Sequence, residues 1–492
     1  MQSQRLWSNC GPMGSVWPVT AVVLEFVIKL GFVAAILLRR RPKSASTLAW
    51  IVVILAVPLV GICAYLLVGE VKLGRRRSVR HLQITRRIDA AGRRRSAPPP
   101  GTKAEVPADY RHIATLAEAV GDNEPRGGNR LNLVSDTDLF IQSLVEDIDK
   151  AKDHCHLLFY IFLDDHSGRR AGEALMRAAK RGVACRVLVD AVGSKQFLES
   201  PLREQMEKAG VRVVEAMPVN FVRMLFARID VRNHRKMAVI DGAVGYVGSH
   251  NVADAEFAIK PKYAPWVDAA VRVDGPAVRD LQRLFLADWY LDTDESLEEV
   301  LQIEPSVVEQ GMTGQVMGTG PNAYNEAMRQ LALATFHVAR EELILTTPYF
   351  VPDEATVTAL CAAARRGVET RLVVPGRNDS PIVAAASRSH YETLLEAGVT
   401  IHEFQDGLLH AKTMTIDRKL ALITTSNLDR RSFELNFEVS MLVYDSDFAS
   451  QMRFLQTAYV GRSRAVDGEA WARRGWPRRL VQNAAGTLGP LL

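Results

Sequence analysis

Two short stretches of the chain share a spacing suited to phosphate chemistry. They are His234-x-Lys236-x4-Asp241 in "HRKMAVID" and His410-x-Lys412-x4-Asp417 in "HAKTMTID", 176 residues apart. Each histidine is followed 17 residues later by an asparagine, Asn251 in "GSHN" and Asn427 in "TTSN". In an extended strand, residues i and i+2 share a face about 7 Å apart, so each His-Lys pair aims a base and a fixed cation at one spot. Lysine offers phosphate a point charge and asparagine a directional donor. Two imidazoles permit a division of labour. One attacks phosphorus; the other protonates the departing alcohol and later deprotonates the acceptor. A lysine two residues from each histidine repels a divalent cation, so no metal site is expected, and the chemistry requires no organic cofactor.

Asp241 and Asp417 complete the catalytic motif by pattern. Their odd offset from the lysine and the "DG" turn signal at 241–242 favour a turn or structural carboxylate over contact with substrate. Two further acids stand in apolar runs, Asp268 in "APWVDAAVRV" and Glu438 in "LNFEVSMLVY". A charge there is costly unless paired. A carboxylate on the far nitrogen of each catalytic imidazole would fix its tautomer, and a salt bridge to an arginine such as Arg272 is the alternative.

The elements that must carry these residues are legible as an alternation of helical and strand periods. "LFIQSLVEDIDKAK" reads as helix, "HLLFYIFL" as strand, "AGEALMRAAKRG" as helix and "VACRVLVD" as strand, which is the grammar of an α/β sheet flanked by helices. The order then repeats: "ELILTTPYFVP" answers "HLLFYIFL", and "ALCAAARRGVETRLVVPG" answers "ALMRAAKRGVACRVLVDAVG". Repeats this long are not solenoid units, whose periods are roughly 20–50 residues. The expectation is two homologous α/β domains, at 110–305 and 306–492, packed face to face about a pseudo-twofold axis that brings both motifs to one anion site. The first half holds a longer loop before its motif, containing "MPVNFVRMLFARIDV".

The 492 residues allow two or three domains, and a net charge of +5 from 61 basic and 56 acidic residues is too balanced to name a partner. Five scattered cysteines without C-x-x-C spacing exclude a zinc site and a disulfide framework. The N-terminus differs in kind. Residues 19–38 and 48–68 are each long and apolar enough for a ~30 Å hydrocarbon core, so residues 1–73 are expected to form a retained two-helix transmembrane hairpin. Glu25 and Lys29 are spaced to pair on one face, and Pro58 marks a kink. Basic residues flank the second span on both sides, so the positive-inside rule gives no orientation. Residues 74–109, basic and then Pro-rich, read as an extended linker.

The duplicated motif, "FYIFLDD", "RGVACRVLVDAVGS", "TTPYFVP" and above all "SNLDRRSFELNFEV" resemble the phospholipase D superfamily, and within it the bacterial cardiolipin synthases. The resemblance covers nearly the whole chain. It implies two phospholipase D-like domains and transphosphatidylation of two phosphatidylglycerol molecules to cardiolipin and glycerol at a bacterial membrane, with no nucleic acid partner. It further implies that His234 is the nucleophile of a phosphohistidine intermediate and His410 the general acid and base. Lys236, Lys412, Asn251 and Asn427 would hold the phosphoryl oxygens. Glu438 and Asp268 would each support the histidine of the opposite half. One departure is Thr424, where the family usually has Gly. A hydrolytic phospholipase D, a catalytically dead lipid-binding scaffold, and phosphatidylethanolamine as second substrate are the competing readings. The basic C-terminal segment with Trp471 and Trp476 reads as a membrane-interface element or as an exposed tail.

Overall fold

A computed structural model describes residues 16–38, 44–69, 79–81, 83–88, 103–218, 230–257, 259–321 and 326–489. The insertion read before the first motif lies, at 219–229, outside the described residues. So do the basic residues at 39–43 and 70–78 and the Pro-rich stretch 89–102. The chain forms an N-terminal helical unit and a larger unit that holds both halves of the repeat.

In the N-terminal unit, helix Val16–Leu37 contains a stretch, Thr20–Leu37, long and apolar enough to cross a membrane. Glu25 and Lys29 pair at 2.7 Å, as their spacing predicts. The second expected span is not one continuous helix. Pro58 has no N–H to give Ile54, and Val57 turns out of helical geometry at φ −134°, ψ 76°. The apolar run is thereby divided into Ser44–Ala56 and Pro58–Val68. Ile36, Ile54 and Tyr65 are buried together where these helices meet.

In the larger unit, the first half supplies β1 (Arg126–Val134), β2 (His154–Phe159), β3 (Ala184–Asp190), β4 (Arg212–Ala216), β5 (Met237–Ile240), β6 (Val244–Gly248), β7 (Trp266–Val267) and β8 (Ala270–Asp274). The second half supplies β9 (Met312–Thr319), β10 (Glu342–Thr346), β11 (Phe350–Val351), β12 (Glu369–Pro375), β13 (Thr400–Phe404), β14 (Leu408–Leu409), β15 (Thr413–Ile416), β16 (Leu420–Thr424), β17 (Leu428–Asp429), β18 (Glu438–Val443) and β19 (Ser463–Ala465). Fifteen of them form one sheet in the order β19-β13-β12-β10-β15-β16-β18-β9-β1-β8-β6-β5-β2-β3-β4. Outward from the central β9–β1 pair, the two arms repeat one another strand for strand, apart from the extra edge strand β19. This is the expected internal symmetry.

One apolar layer is shared between the halves. Val239, Val247 and Val271 of the first pack in the same core as Ile423, Val439 and Met441 of the second. The sequence did not announce that the halves are also stitched edge to edge, through antiparallel pairing of Arg126 with Gly314 and Asn129 with Met312. Helix Arg111–Gly121 adds a crossover. It precedes the first half's strands, yet Ile113 and Ala117 bury against Met317, Leu331 and Phe336 of the second.

The linker reading is corrected at 79–81 and 83–88. These residues are helical, and Ile84 and Ile88, 1% and 2% exposed, join the core beside Phe285, Trp289 and Leu297. Arg80 pairs with Asp294 at 2.7 Å. Surrounding arginines hide a two-residue apolar stripe at i, i+4 from a composition-based reading. Replacing Ile84 or Ile88 by Ala should therefore destabilise the larger unit by about 2–5 kcal/mol. The loss would be measured as a fall in Tm of the detergent-solubilised chain; an unchanged Tm would restore the spacer reading.

Candidate active site

The two motifs converge on one cavity of about 560 Å³, lined by His234 and Asn251 from the first half and His410 and Asn427 from the second. His234 and Lys236 do not lie in a paired strand. They occupy the extended lead into β5, and His410 and Lys412 the equivalent lead into β15. What holds each lead is the other half. The His234 N–H donates to the Phe437 carbonyl at 2.9 Å, and the Phe437 N–H to Arg232 at 3.0 Å, one residue before Glu438. His410 and Ala411 donate to the Val267 carbonyl at 2.7 and 2.9 Å, one residue before Asp268, beside the β7–β14 pair. The backbone register thus delivers an acid from each half to the histidine of the other.

His234 Nδ1 lies 2.9 Å from Glu438 Oε2, and His410 Nδ1 lies 2.6 Å from Asp268 Oδ1. Arg272, the alternative partner for Asp268, is engaged instead with Asp147 and Asp274. Burial opposes charge on both rings and holds each imidazole down at about 4, against the pull of its carboxylate. Both carboxylates, although buried, are kept below their ordinary range by the histidine and lysine charges around them. The resting pairs are therefore neutral imidazoles donating Nδ1–H to carboxylates, with Nε2 free to act as base or nucleophile.

Lys236 and Lys412 are buried, and each donates to the carbonyl of its own motif histidine, at 2.8 and 2.6 Å. Burial lowers Lys236 to about 8 and Lys412 to about 7. Two ammonium groups face two buried carboxylates with the imidazoles neutral, so the resting site is near neutrality, and the depressed ammonium groups are the cations that a phosphodiester would stabilise. Asn251 Oδ1 accepts the Ile161 N–H at 3.1 Å, while Asn427 leaves its Oδ1 unpaired at the cavity wall.

Asp241 and Asp417 are at the far end of their strands. Asp241 accepts the N–H groups of Lys152, Asp153 and His154, and Asp417 those of Arg340, Glu341 and Glu342. Both adopt positive φ, 51° and 49°. Their contacts are with backbone and, for Asp417, also with the Tyr110 hydroxyl at 3.4 Å, away from the imidazoles, which supports the structural role that turn chemistry favoured over the catalytic label their motif gave them.

Several residues in and behind the site were not singled out from sequence. Tyr160 packs its ring against His234 at 4.8 Å and beneath the Lys236 ammonium at 5.2 Å. Thr425 and Asn436 hydrogen-bond Glu438 at 2.5 and 3.2 Å. Arg235 ties the two halves, bonding Asp288 at 2.6 Å and the Glu438 carbonyl at 3.0 Å. Asp429, raised by burial to about 6, caps the short helix Arg430–Glu434. Thr425, Asp429 and Asn436 all fall in or beside "SNLDRRSFELNFEV", the segment whose sequence was most distinctive. Thr424 is accommodated by polar partners: its hydroxyl bonds Ser440 at 2.7 Å and takes the Ser426 N–H at 3.0 Å.

Comparison with known proteins agrees with this geometry. Residues 144–289 and 333–455 match the family described as cardiolipin synthase, PLD-like domain, and residues 30–70 match the phospholipase D-nuclease N-terminal family. The chain is 38% identical over 469 residues to cardiolipin synthase A of Yersinia pseudotuberculosis, covering 94% of this chain and 96% of that protein. The same protein of Yersinia pestis aligns at the same identity and coverage. Among solved structures, phosphatidylserine synthase of Haemophilus influenzae superposes with a TM-score of 0.58 at 15% identity, covering 77% of this chain and all of that one. That likeness concerns the fold.

The lysine pKa values carry a pH dependence. An ammonium whose folded-state pKa is depressed loses its charge early, so kcat/KM should fall from about pH 7 upward as first Lys412 and then Lys236 deprotonate, with KM taking most of the loss. On the acid side it should fall near pH 4 as the imidazoles protonate. Steady-state kinetics in buffered detergent test both limbs; a flat profile up to about pH 10 contradicts the first.

Proposed function

The chain belongs to the phospholipase D-like cardiolipin synthases, and from that membership we propose that it joins two phosphatidylglycerol molecules into cardiolipin, releasing glycerol. It is a phosphatidyltransferase acting on phospholipids. The observation that carries the finer reading is the crossed pair of carboxylate-bound imidazoles on one cavity.

In this reading, His234 Nε2 attacks the phosphorus of a bound phosphatidylglycerol. Lys236, Lys412, Asn251 and Asn427 hold the phosphoryl oxygens. The anion's charge lifts the pKa of His410, which takes up a proton and passes it to the departing glycerol oxygen. The primary hydroxyl of a second phosphatidylglycerol then gives its proton to His410 and attacks the phosphohistidine. The difference between the two carboxylates supports this order. Glu438 divides its charge among His234, Thr425 and Asn436. Among the described residues, Asp268 spends its side-chain hydrogen bonding on His410. An undivided carboxylate is the better partner for a ring that must become an imidazolium. The N-terminal helices fit a multi-pass anchor in a bacterial cell membrane, which would keep the enzyme where both substrates and product reside.

Purified full-length protein given labelled phosphatidylglycerol alone should yield cardiolipin and glycerol. Phosphatidic acid as the main product would instead identify a hydrolase, and no turnover a scaffold. His234→Ala should abolish the acid-quenched phosphoenzyme, whereas His410→Ala should still accumulate it, with overall turnover down about 10²-fold or more in both. The reverse pattern would exchange the two roles.

A further inference from the structure

Outside the N-terminal helices, exposed large apolar side chains are mostly scattered singly, which is ordinary for a protein surface. The exception is the C-terminal helix Trp476–Thr487. Trp476, Leu480 and Val481 on it and Leu488 at its end are 76%, 60%, 62% and 43% exposed. Four such residues along three turns form a continuous apolar face, the kind of patch that marks an interaction surface.

The opposite face of this helix is fixed. Ala485 packs with Val351, Val383 and Ala386, and Gly486 lies so close to Ser389 that a Cβ there would come within 2.6 Å of its hydroxyl. Val351 and Val383 are also walls of the catalytic cavity. The helix is thus seated on the outside of the cavity's own wall, with its apolar face turned to solvent. Ile382, half exposed, and Ile259, exposed on the cavity lining, continue apolar surface around that end of the site.

Charge selects the occupant. From Ala470 to the C-terminus the chain has four arginines, Arg473, Arg474, Arg478 and Arg479, and no acidic residue. Arg474 is turned inward to Glu392, whereas Arg473, Arg478 and Arg479 stay at the surface, Arg473 pairing with Glu469 at 2.7 Å on the preceding helix and Arg479 lying 3.5 Å from Glu392. An apolar face with an exposed tryptophan, flanked by arginines and lacking acids, is the composition of a helix that lies in the plane of an anionic bilayer. A protein partner would not explain why this face borders the one cavity that must receive a lipid.

We propose that the exposed face of helix Trp476–Thr487 docks the rim of the catalytic cavity onto an anionic lipid surface. The inference rests on the lipid-substrate reading above. Docking there shortens the path by which a phosphodiester headgroup leaves the interface for the histidines, so its loss should impair work on bilayers more than work on dispersed lipid.

The test uses the full-length chain. Cardiolipin formation is measured in phosphatidylglycerol vesicles and in detergent–phosphatidylglycerol mixed micelles, for wild type and for the combined variant Trp476→Ser, Leu480→Ser, Val481→Ser. The vesicle-to-micelle ratio should fall at least about fivefold. Arg478→Glu, at a solvent-facing position with no packing to lose, should lower the ratio in the same direction by roughly fivefold per charge removed, and added salt should shrink its difference from wild type. Brominated-lipid quenching of tryptophan fluorescence, compared between wild type and Trp476→Phe, should place Trp476 at the interface. An unchanged ratio or an unquenched Trp476 would overturn the proposal. A change of oligomeric state in the triple variant without a change in quenching would also overturn it, assigning the face to a second copy of the chain. Wild-type protein that makes no cardiolipin would count against the catalytic reading, while the quenching comparison would still decide the surface.

Discussion

The structure depends on a crossed hydrogen bond made twice: a carboxylate from one half of the chain on the imidazole of the other. Glu438 reaches His234 and Asp268 reaches His410 because in each case the backbone one residue before the acid pairs with the histidine's own backbone. Neither half can build a working histidine alone. A buried imidazole without its carboxylate would have no fixed tautomer, and a buried carboxylate without its imidazole would be an uncompensated charge costing several kcal/mol. The continuous sheet, the shared core and the helix Arg111–Gly121 that crosses between halves all hold this register.

Charge balance in the cavity follows from the same arrangement. Two lysines and two carboxylates are buried together with two neutral imidazoles, so the resting site is near neutrality although every member is ionisable. Burial makes each ammonium expensive, which is why Lys236 and Lys412 fall to about 8 and about 7. A phosphodiester adds one negative charge in low dielectric. The cheapest compensation is a proton on one imidazole, and that proton is the one a leaving alcohol needs. Substrate binding and arming of the acid are in this sense one event.

How much of this was legible in the sequence varies with the physics behind each feature. The paired motifs, their asparagines and the two acids could be read because a repeat supplies every spacing twice, and because Asp268 and Glu438 stand alone in apolar runs where only pairing makes a charge tolerable; that each acid crosses to the other half's histidine came from the family resemblance alone. The α/β order was legible from periodicity. The edge-to-edge joining of β1 and β9 was not, since strand partners at a domain junction leave no local signature. The helical residues 79–81 and 83–88 were missed because a basic composition surrounds the two isoleucines that do the packing. Pro58 was legible as a kink from the N–H it lacks, but not that it divides the second apolar stretch into two helices. Arg235 and Tyr160 could not be singled out, since nothing in their neighbours marks which of many arginines and tyrosines faces a cavity.

The two halves share a scaffold but differ in the partners of their carboxylates, and the difference lies where the asparagine-bearing segments meet the acids. In the first half, Gly248 sits so tightly that a Cβ would lie 2.4 Å from the Ala269 carbonyl and the Ala270 Cα. The matching residue of the second half is Thr424, the last residue of β16, which stands opposite Ser440 in β18 and bonds its hydroxyl at 2.7 Å. The next residue, Thr425, then donates to Glu438, whereas its counterpart Ser249 donates to the Ala269 carbonyl at 3.2 Å and leaves Asp268 to His410. A carboxylate shared among three donors steadies a ring that stays neutral until it attacks. A carboxylate with an undivided pair of oxygens favours a ring that must gain and lose a proton in each cycle. A duplication alone would give two equivalent histidines; in the proposed mechanism, the different partners of the two carboxylates suit one ring to bond phosphorus and the other to carry protons.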